Sequence, residues 1–306
     1  MKISIATGGA FHALGVAGGL RAIREAGFDG VDLGLDDPLF PRKDAMVEAY
    51  RDWLLDEERI RAFIDPIKAG LCKYGLTVEQ IHAPASYVPR KPQETDIMQQ
   101  CVRKTIALCA ELGCRNLVVH PIFDGSARYP SLTKEQEYAE NIAFFASLIP
   151  LLKQYRVTCC LENAYCIDWG TKKIYASACS DMNEANHYID TLNALAGETC
   201  FGFCLDTGHL LLTGGDTCNA IELLGNRLKV LHVHDNDGCS DDHTLPFTGV
   251  CNWSRFIRGL RATGYRGNIN IEASCFVQQF PPELAADALR MLCATASYFR
   301  SKALEP

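Results

Sequence analysis

Six segments of the 306-residue chain have the composition of buried β-strands, and each ends in a residue that can bind a metal ion. The segments are TVEQIHAP, NLVVHP, VTCCLEN, FGFCLDTGH, KVLHVHDND and NINIEAS, and the metal-capable residues are His82, His120, Glu162, Asp206, His232 and Glu272. Helix-like stretches separate the segments, which predicts parallel strands whose carboxyl ends lie on one side of a sheet. Six such residues in succession indicate a metal site.

The alternation of strand and helix patterns runs through the whole chain. KISIAT and GFDGVDLGL add two earlier strands, which makes eight βα units with no linker between them. The predicted helices cover residues 17–27, 43–74 (as one or two helices), 95–112, 133–155, 181–196, 219–224, 253–263 and 282–302. About 250 residues is a usual length for a (β/α)₈ barrel. We therefore predict an α/β protein with a single TIM-barrel domain over residues 1–306.

Composition restricts the classes of partner. The formal net charge of −7 provides no broad attraction to nucleic acid, so a nucleic-acid partner is not expected. No stretch approaches the ~20 apolar residues of a membrane span. The start of the chain, MKISIATGG, is typical of a first strand rather than a signal peptide. The 15 cysteines include no C-x-x-C pair, which favours free thiols in a reducing compartment and predicts a cytoplasmic protein.

Side-chain alternation predicts that the strand-end carboxylates point into the barrel. Glu162 shares a strand face with Cys160, whereas Leu161 lies on the opposite face. The same count places Asp206 and Glu272 on inward faces. A single inward carboxylate is typical of a buried ion pair or a strand-end cap. Several carboxylates meeting with an imidazole would repel one another without a cation between them, which favours a metal site.

The chemistry of these residues also restricts the metal. A carboxylate-rich set with one imidazole suits Mn²⁺, Mg²⁺ or Co²⁺ better than a structural zinc site, which prefers Cys and His. His232 and His234 lie on the same face of the seventh strand, so position alone does not show which of them is the ligand.

The motifs LENAY, LDTGHLLLTGGD, LHVHDND, DDHTLPFTG and IEAS resemble the sugar phosphate isomerase/epimerase superfamily, which has the xylose isomerase-like TIM barrel. The superfamily includes ketose 3-epimerases, inosose dehydratases, hydroxypyruvate isomerases and endonuclease IV. The resemblance covers essentially the whole chain. It implies a metal-dependent isomerase or epimerase with a small-molecule sugar as substrate, and homo-oligomers are common among such proteins.

The resemblance to the ketose 3-epimerases also implies roles for individual residues. It implies one divalent ion, with Mn²⁺ expected first and Mg²⁺, Co²⁺ or Zn²⁺ as alternatives. The implied ligands are Glu162, Asp206, His232 and Glu272; the choice of His232 rests on an H-x-x-D pattern completed by Asp235. Glu162 and Glu272 are also the predicted catalytic acid and base, which would exchange a substrate proton through an enediolate.

The other polar residues of these motifs are predicted to contact substrate: His82, His120, His209, His234, Asp241 and His243. Most of these residues, together with the four predicted ligands, also match the three-zinc site of endonuclease IV. The segment NAYCIDWG and the acidic net charge disfavour that alternative function. NDGCSDDH lacks the Arg that ketose 3-epimerases carry after the strand-seven His, and PFTGVCNW replaces their G-E-G element. A dehydratase or lyase acting on a sugar-like or inositol-derived substrate therefore remains a second alternative.

Overall fold

Eight parallel strands form a barrel in the computed structural model, which describes residues 1–35, 51–84, 92–122, 132–168 and 170–305. The barrel strands are β1 (Ile3–Ala6), β2 (Gly30–Gly34), β3 (Thr77–His82), β4 (Asn116–Val119), β5 (Thr158–Glu162), β8 (Phe201–Asp206), β9 (Leu228–His232) and β10 (Ile269–Ile271). They pair in the order β10-β1-β2-β3-β4-β5-β8-β9. A parallel bridge between Val233 and Ile271 closes the ring. The predicted (β/α)₈ fold is confirmed.

Helices connect the strands around the barrel. They are α1 (Gly8–Ala26), α2 (Glu57–Tyr74), α3 (Pro92–Glu111), α4 (Lys134–Ala146), α5 (Ile149–Tyr155), α6 (Met182–Ala196), α7 (Thr207–Leu212), α8 (Thr217–Leu224), α9 (Trp253–Ala262), α10 (Ser274–Gln278) and α11 (Ala285–Leu304). Short 3₁₀ turns occupy Gly225–Arg227 and Pro282–Leu284. None of the described helices is long and apolar enough to cross a membrane.

Several helices differ from the sequence-based expectation. The predicted helix over 133–155 is two helices, because Pro150 lacks a backbone N–H and lies in the first turn of α5, where a helix begins rather than continues. Helix α1 begins at Gly8, nine residues before the predicted start, and Gly15 interrupts it with a φ of 66°. The first part of the predicted helix over 43–74 lies outside the described residues, and residues 51–54 are helical.

A small antiparallel hairpin rises from the end of β5. It consists of β6 (Tyr165–Ile167) and β7 (Ile174–Ala176), in a stretch that the predicted strands and helices do not cover. Three-residue strands are too short to produce a recognisable alternation of polar and apolar residues. The hairpin brings Tyr165 over the carboxyl end of the barrel, where it contacts the site described below.

The barrel interior is a separate apolar layer. Val118, Cys160, Cys204 and Val230 form a buried cluster of their own, while Phe201, Phe203 and Leu205 belong to the larger core that contains the helix faces. Cys160 and Cys204 thus lie on the interior face, as do Glu162 and Asp206 two residues further along each strand. The strands therefore direct their last carboxylates towards the carboxyl-terminal mouth of the barrel, where TIM-barrel sites are built.

Candidate metal centre

Four strand-end residues meet at the mouth of the barrel. Glu162, Asp206, His232 and Glu272 are defined here as the central cluster. Nδ1 of His232 lies 2.6 Å from Glu162 Oε1, 3.3 Å from Glu272 Oε2 and 4.0 Å from Asp206 Oδ2. Glu162, Asp206 and His232 are fully buried, and Glu272 is mostly buried. One imidazole nitrogen therefore faces three carboxylates from β5, β8 and the end of β10.

The second carboxylate oxygen of Glu162 faces two further histidines. Oε2 lies 2.8 Å from His120 Nε2 and 3.2 Å from His82 Nε2. The two Nε2 atoms are 3.2 Å apart, and His82 also contacts the Ala83 carbonyl through Nδ1 at 2.8 Å. Glu162 thus bridges the central cluster and this histidine pair.

A third group, defined here as the Asp241 triad, consists of Asp241, His209 and His243, with Asp241 at its centre. The Oδ2 atom of Asp241 is 3.2 Å from Nε2 of both His209 and His243, and it accepts a hydrogen bond from the Tyr165 hydroxyl at 3.1 Å. His243 contacts the Glu272 carbonyl through Nδ1 at 2.8 Å. The triad is therefore joined directly to the central cluster, and all ten predicted site residues lie at one end of the barrel.

The two histidines of the seventh barrel strand have different surroundings. His232 faces Glu162 and Glu272, whereas Nε2 of His234 lies 3.0 and 3.1 Å from the two oxygens of Asp206. The His234 ring also stacks on His243, with centroids 3.9 Å apart and an angle of 8° between the planes. His234 therefore lies between the central cluster and the Asp241 triad.

Charge interactions within this group of residues shift several pKa values. Burial would raise the pKa of Glu162, but His232 and His120 outweigh this effect and hold it well below its ordinary value. Burial opposes the charged form of His82 and His209, yet their carboxylate neighbours raise their pKa to about 9 and about 10. Burial raises the pKa of Glu272. The buried carboxylates thus require positive charge close to them, which protonated imidazoles can supply.

The central cluster has the donor chemistry of a divalent-cation site. It provides three carboxylates and one imidazole nitrogen in a buried setting, which suits Mn²⁺, Mg²⁺ or Co²⁺. Ligand atoms of His82, His232 and Glu272 lie within 4.8 Å of one another, as do those of His82, His120 and Glu162, and those of the Asp241 triad. The residues present therefore fit a bound cation, and two of the groupings include His82, predicted only to contact substrate.

Three residues of the site were not predicted from the sequence. Tyr165 contacts Asp241, and the backbone carbonyl of Asn163 lies 2.9 Å from His209 Nδ1. Asp32, in β2, lies 3.0 Å from His232 Nε2. The sequence pattern could have identified Asp32, because it stands between the apolar Val31 and Leu33 and so occupies an inward position on the strand. Asn163 acts through its backbone carbonyl and Tyr165 through the short hairpin, and strand alternation reveals neither contact.

Asp235 organises the loop that carries Asp241 and His243. It is buried, and its carboxylate accepts four hydrogen bonds, from the backbone N–H groups of Asn236, Phe247 and Cys251 and from the indole N–H of Trp253. The H-x-x-D pattern therefore has a structural basis. Its aspartate holds both ends of the 236–251 loop and so fixes where Asp241 and His243 stand.

Gly208 provides a test of how tightly the His234 ring is held. A Cβ at Gly208 would overlap the His234 ring, with both ring nitrogens at 2.7 Å. Gly208→Ala is expected to displace His234 and lower the free energy of unfolding by about 1–3 kcal/mol, as measured by urea denaturation. In a His234→Ala background the same substitution should cost far less, because the overlapping ring is absent. Equal costs in both backgrounds would contradict this packing.

A sequence model described as xylose isomerase-like TIM barrel matches residues 20–295. Among curated proteins, the uncharacterized protein y4fM of Sinorhizobium fredii is 29% identical over 177 residues, which are 56% of this chain and 51% of that protein. The chain thus spans about half the length of this relative.

Solved structures share the same architecture. D-allulose 3-epimerase from Methylomonas sp., in complex with D-allulose, aligns with a TM-score of 0.70 and 16% identity over 99% of this chain and 97% of that chain. The IOLI protein with a binding zinc atom aligns with a TM-score of 0.70 and 14% identity over 100% of both chains. By the match of its sequence over residues 20–295, the chain belongs to the family of xylose isomerase-like TIM barrels.

Proposed function

We propose that the protein is a divalent-metal-dependent isomerase or epimerase of a sugar or sugar phosphate, with Mn²⁺ as the expected metal. The observation that carries the proposal is the placement of Glu162 and Glu272, which face the same nitrogen of His232 from strands separated by β8 and β9. Two carboxylates directed at one point can remove and return a proton at adjacent positions of a bound substrate. The fold shared with D-allulose 3-epimerase supports the substrate class.

The residues of the site would have three different roles: binding the cation, transferring a proton and orienting the substrate. The central cluster would hold the cation, which when bound would polarise a carbonyl oxygen and so acidify the neighbouring C–H group. Glu162 would act as one acid/base group, because His232, His120 and His82 hold its two oxygens in fixed directions. Glu272 would act as the other, from the end of β10. His209, His234, Asp241 and His243 would orient the substrate hydroxyl groups.

Proton exchange with solvent tests this proposal directly. The metal-free protein is reloaded with Mn²⁺ and incubated in D₂O with a panel of free ketoses, ketose phosphates and keto-inositols, and deuterium incorporation is measured by mass spectrometry. A gain of one deuterium at the carbon next to the carbonyl is expected, and it should disappear after treatment with EDTA. Formation of a dehydrated product would favour the dehydratase alternative. No reaction across the panel would contradict the proposal.

A zinc-dependent endonuclease acting at abasic sites in DNA is the second candidate. One observation favours it: the histidine pair and the Asp241 triad flank the central cluster, so three groups of metal-capable donors are contiguous. The net charge of −7 opposes it, because DNA backbones bind basic surfaces. The two candidates differ in the number of ions that the site would hold.

Metal content per chain separates the two candidates. We expect about one Mn²⁺ or Co²⁺ per chain by elemental analysis after reconstitution, since the central cluster alone combines three carboxylates with an imidazole. Two or three Zn²⁺ per chain, together with incision of a duplex containing an abasic site, would support the nuclease instead. Asp241→Asn is a suitable comparison, because it should lower the metal content only if the Asp241 triad binds an ion.

A further inference from the structure

Asp32 is a buried carboxylate that faces the barrel interior from β2. Its side chain is 1% exposed. Its Oδ2 atom accepts hydrogen bonds from the Asn270 amide at 2.9 Å and the Gln80 amide at 3.1 Å. The same oxygen lies 3.0 Å from Nε2 of His232. Two neutral amides and one imidazole thus surround a carboxylate whose burial is costly without partners.

His232 stands between Asp32 and the other carboxylates of the site. Its Nδ1 faces the central cluster, with Glu162 Oε1 at 2.6 Å, and its Nε2 faces Asp32. The His82 ring stacks on it, with centroids 5.3 Å apart and planes inclined by 22°. The ring is fully buried, so its orientation is set by these contacts.

The tautomer of this imidazole decides whether it can bind a cation. A neutral imidazole carries one N–H group and one lone pair. If the proton is on Nδ1, the N–H group points into the central cluster and the Nε2 lone pair meets the negative charge of Asp32. If the proton is on Nε2, it lies on the side of Asp32, whose Oδ2 atom is 3.0 Å from that nitrogen, and the Nδ1 lone pair faces Glu162 and Glu272. Only the second arrangement leaves a nitrogen lone pair that can bind a metal ion in the central cluster.

We propose that Asp32 is a positioning residue that fixes His232 as the Nε2–H tautomer, so that Nδ1 presents its lone pair to a divalent ion in the central cluster. A carboxylate behind a metal-binding histidine fixes the ring and increases the basicity of the ligand nitrogen. Gln80, from the neighbouring strand β3, and Asn270, from β10 on the far side of β1, hold Asp32 in place. The inference rests on the metal site of the proposed function, but it concerns binding of the ion rather than turnover.

Titration of the metal-free protein with Co²⁺, followed by its visible absorption, tests this role without a substrate. Asp32→Asn keeps the shape of the side chain and removes its charge. We expect it to weaken Co²⁺ binding by about 10–100-fold. Ser4→Ala is the matched control: Ser4 is buried and donates to Asn270 at 2.7 Å, so its loss disturbs the same network without touching Asp32 or His232. The control should bind Co²⁺ within about twofold of the wild type.

The outcomes separate this inference from the proposed function. Equal Co²⁺ affinity in the wild type and Asp32→Asn would overturn the role of Asp32 and leave the metal site in place. Absence of Co²⁺ binding by the wild type would overturn both. If Asp32→Asn does not fold, ¹⁵N-histidine NMR of the Zn²⁺-loaded wild type decides the point. A proton on Nε2 of His232 supports the inference, and a proton on Nδ1 overturns it.

Discussion

Glu162→Gln is expected to lower the rate of metal-dependent proton exchange by about 10³-fold or more. The Glu162 side chain faces His232 through one oxygen and His120 and His82 through the other. Gln has nearly the same shape, but it is neutral and cannot accept a proton as a base. Loss of a general base typically costs 10²–10⁴-fold. Weaker binding of the cation should add to this loss. The measurement is the initial rate of deuterium incorporation into whichever ketose reacts with the wild type.

Glu137→Gln is the matched control for that substitution. Glu137 is also a buried glutamate, but it lies in α4 and pairs with Lys134 at 2.9 Å, away from the strand ends. We expect its exchange rate to stay within about twofold of the wild-type rate. Equal rates for Glu162→Gln and the wild type, with metal bound in both, would exclude Glu162 as an acid/base group. A large loss in both variants would point to a general effect of removing a buried carboxylate.

The barrel and the central cluster could be predicted from the sequence because both depend on local patterns. Alternation along FGFCLD is enough to place Asp206 on the inward face, and parallel topology brings the strand ends together. Alternation also places Asp32 on an inward face, but its contact with His232, 200 residues away, depends on closure of the barrel and could not be predicted. The different surroundings of His232 and His234 likewise arise from tertiary contacts, since the two residues have the same position in the strand alternation.

Binding of Mn²⁺ is expected to stabilise the fold strongly. A ligand at about 1,000 times its Kd that binds only the native state contributes about 4 kcal/mol. For a chain of this size the increase in Tm should be about 6 °C, measured by differential scanning fluorimetry with and without EDTA. The increase should become smaller as the pH falls towards 5, because protons compete with the metal for carboxylates and imidazoles. An unchanged Tm at saturating Mn²⁺ would contradict a metal bound in the central cluster.

Glu272→Gln should affect two quantities differently. The Tm of the metal-free protein should stay equal or rise, whereas the increase in Tm on binding Mn²⁺ should fall. Burial, with the charges of Asp206 and Glu162, raises the pKa of Glu272 despite the opposing effect of His232 and His243. A carboxyl group with a raised folded-state pKa costs stability once the pH exceeds its ordinary value of about 4.3, so at pH 7 its charge destabilises the metal-free protein. Removing that charge should leave the Tm of metal-free Glu272→Gln equal to or above that of the wild type. The increase in Tm that Mn²⁺ produces should be largely lost in this variant, because one of the three proposed carboxylate ligands is missing. A lower metal-free Tm combined with an intact Mn²⁺ response would mean that Glu272 serves the fold rather than the cation.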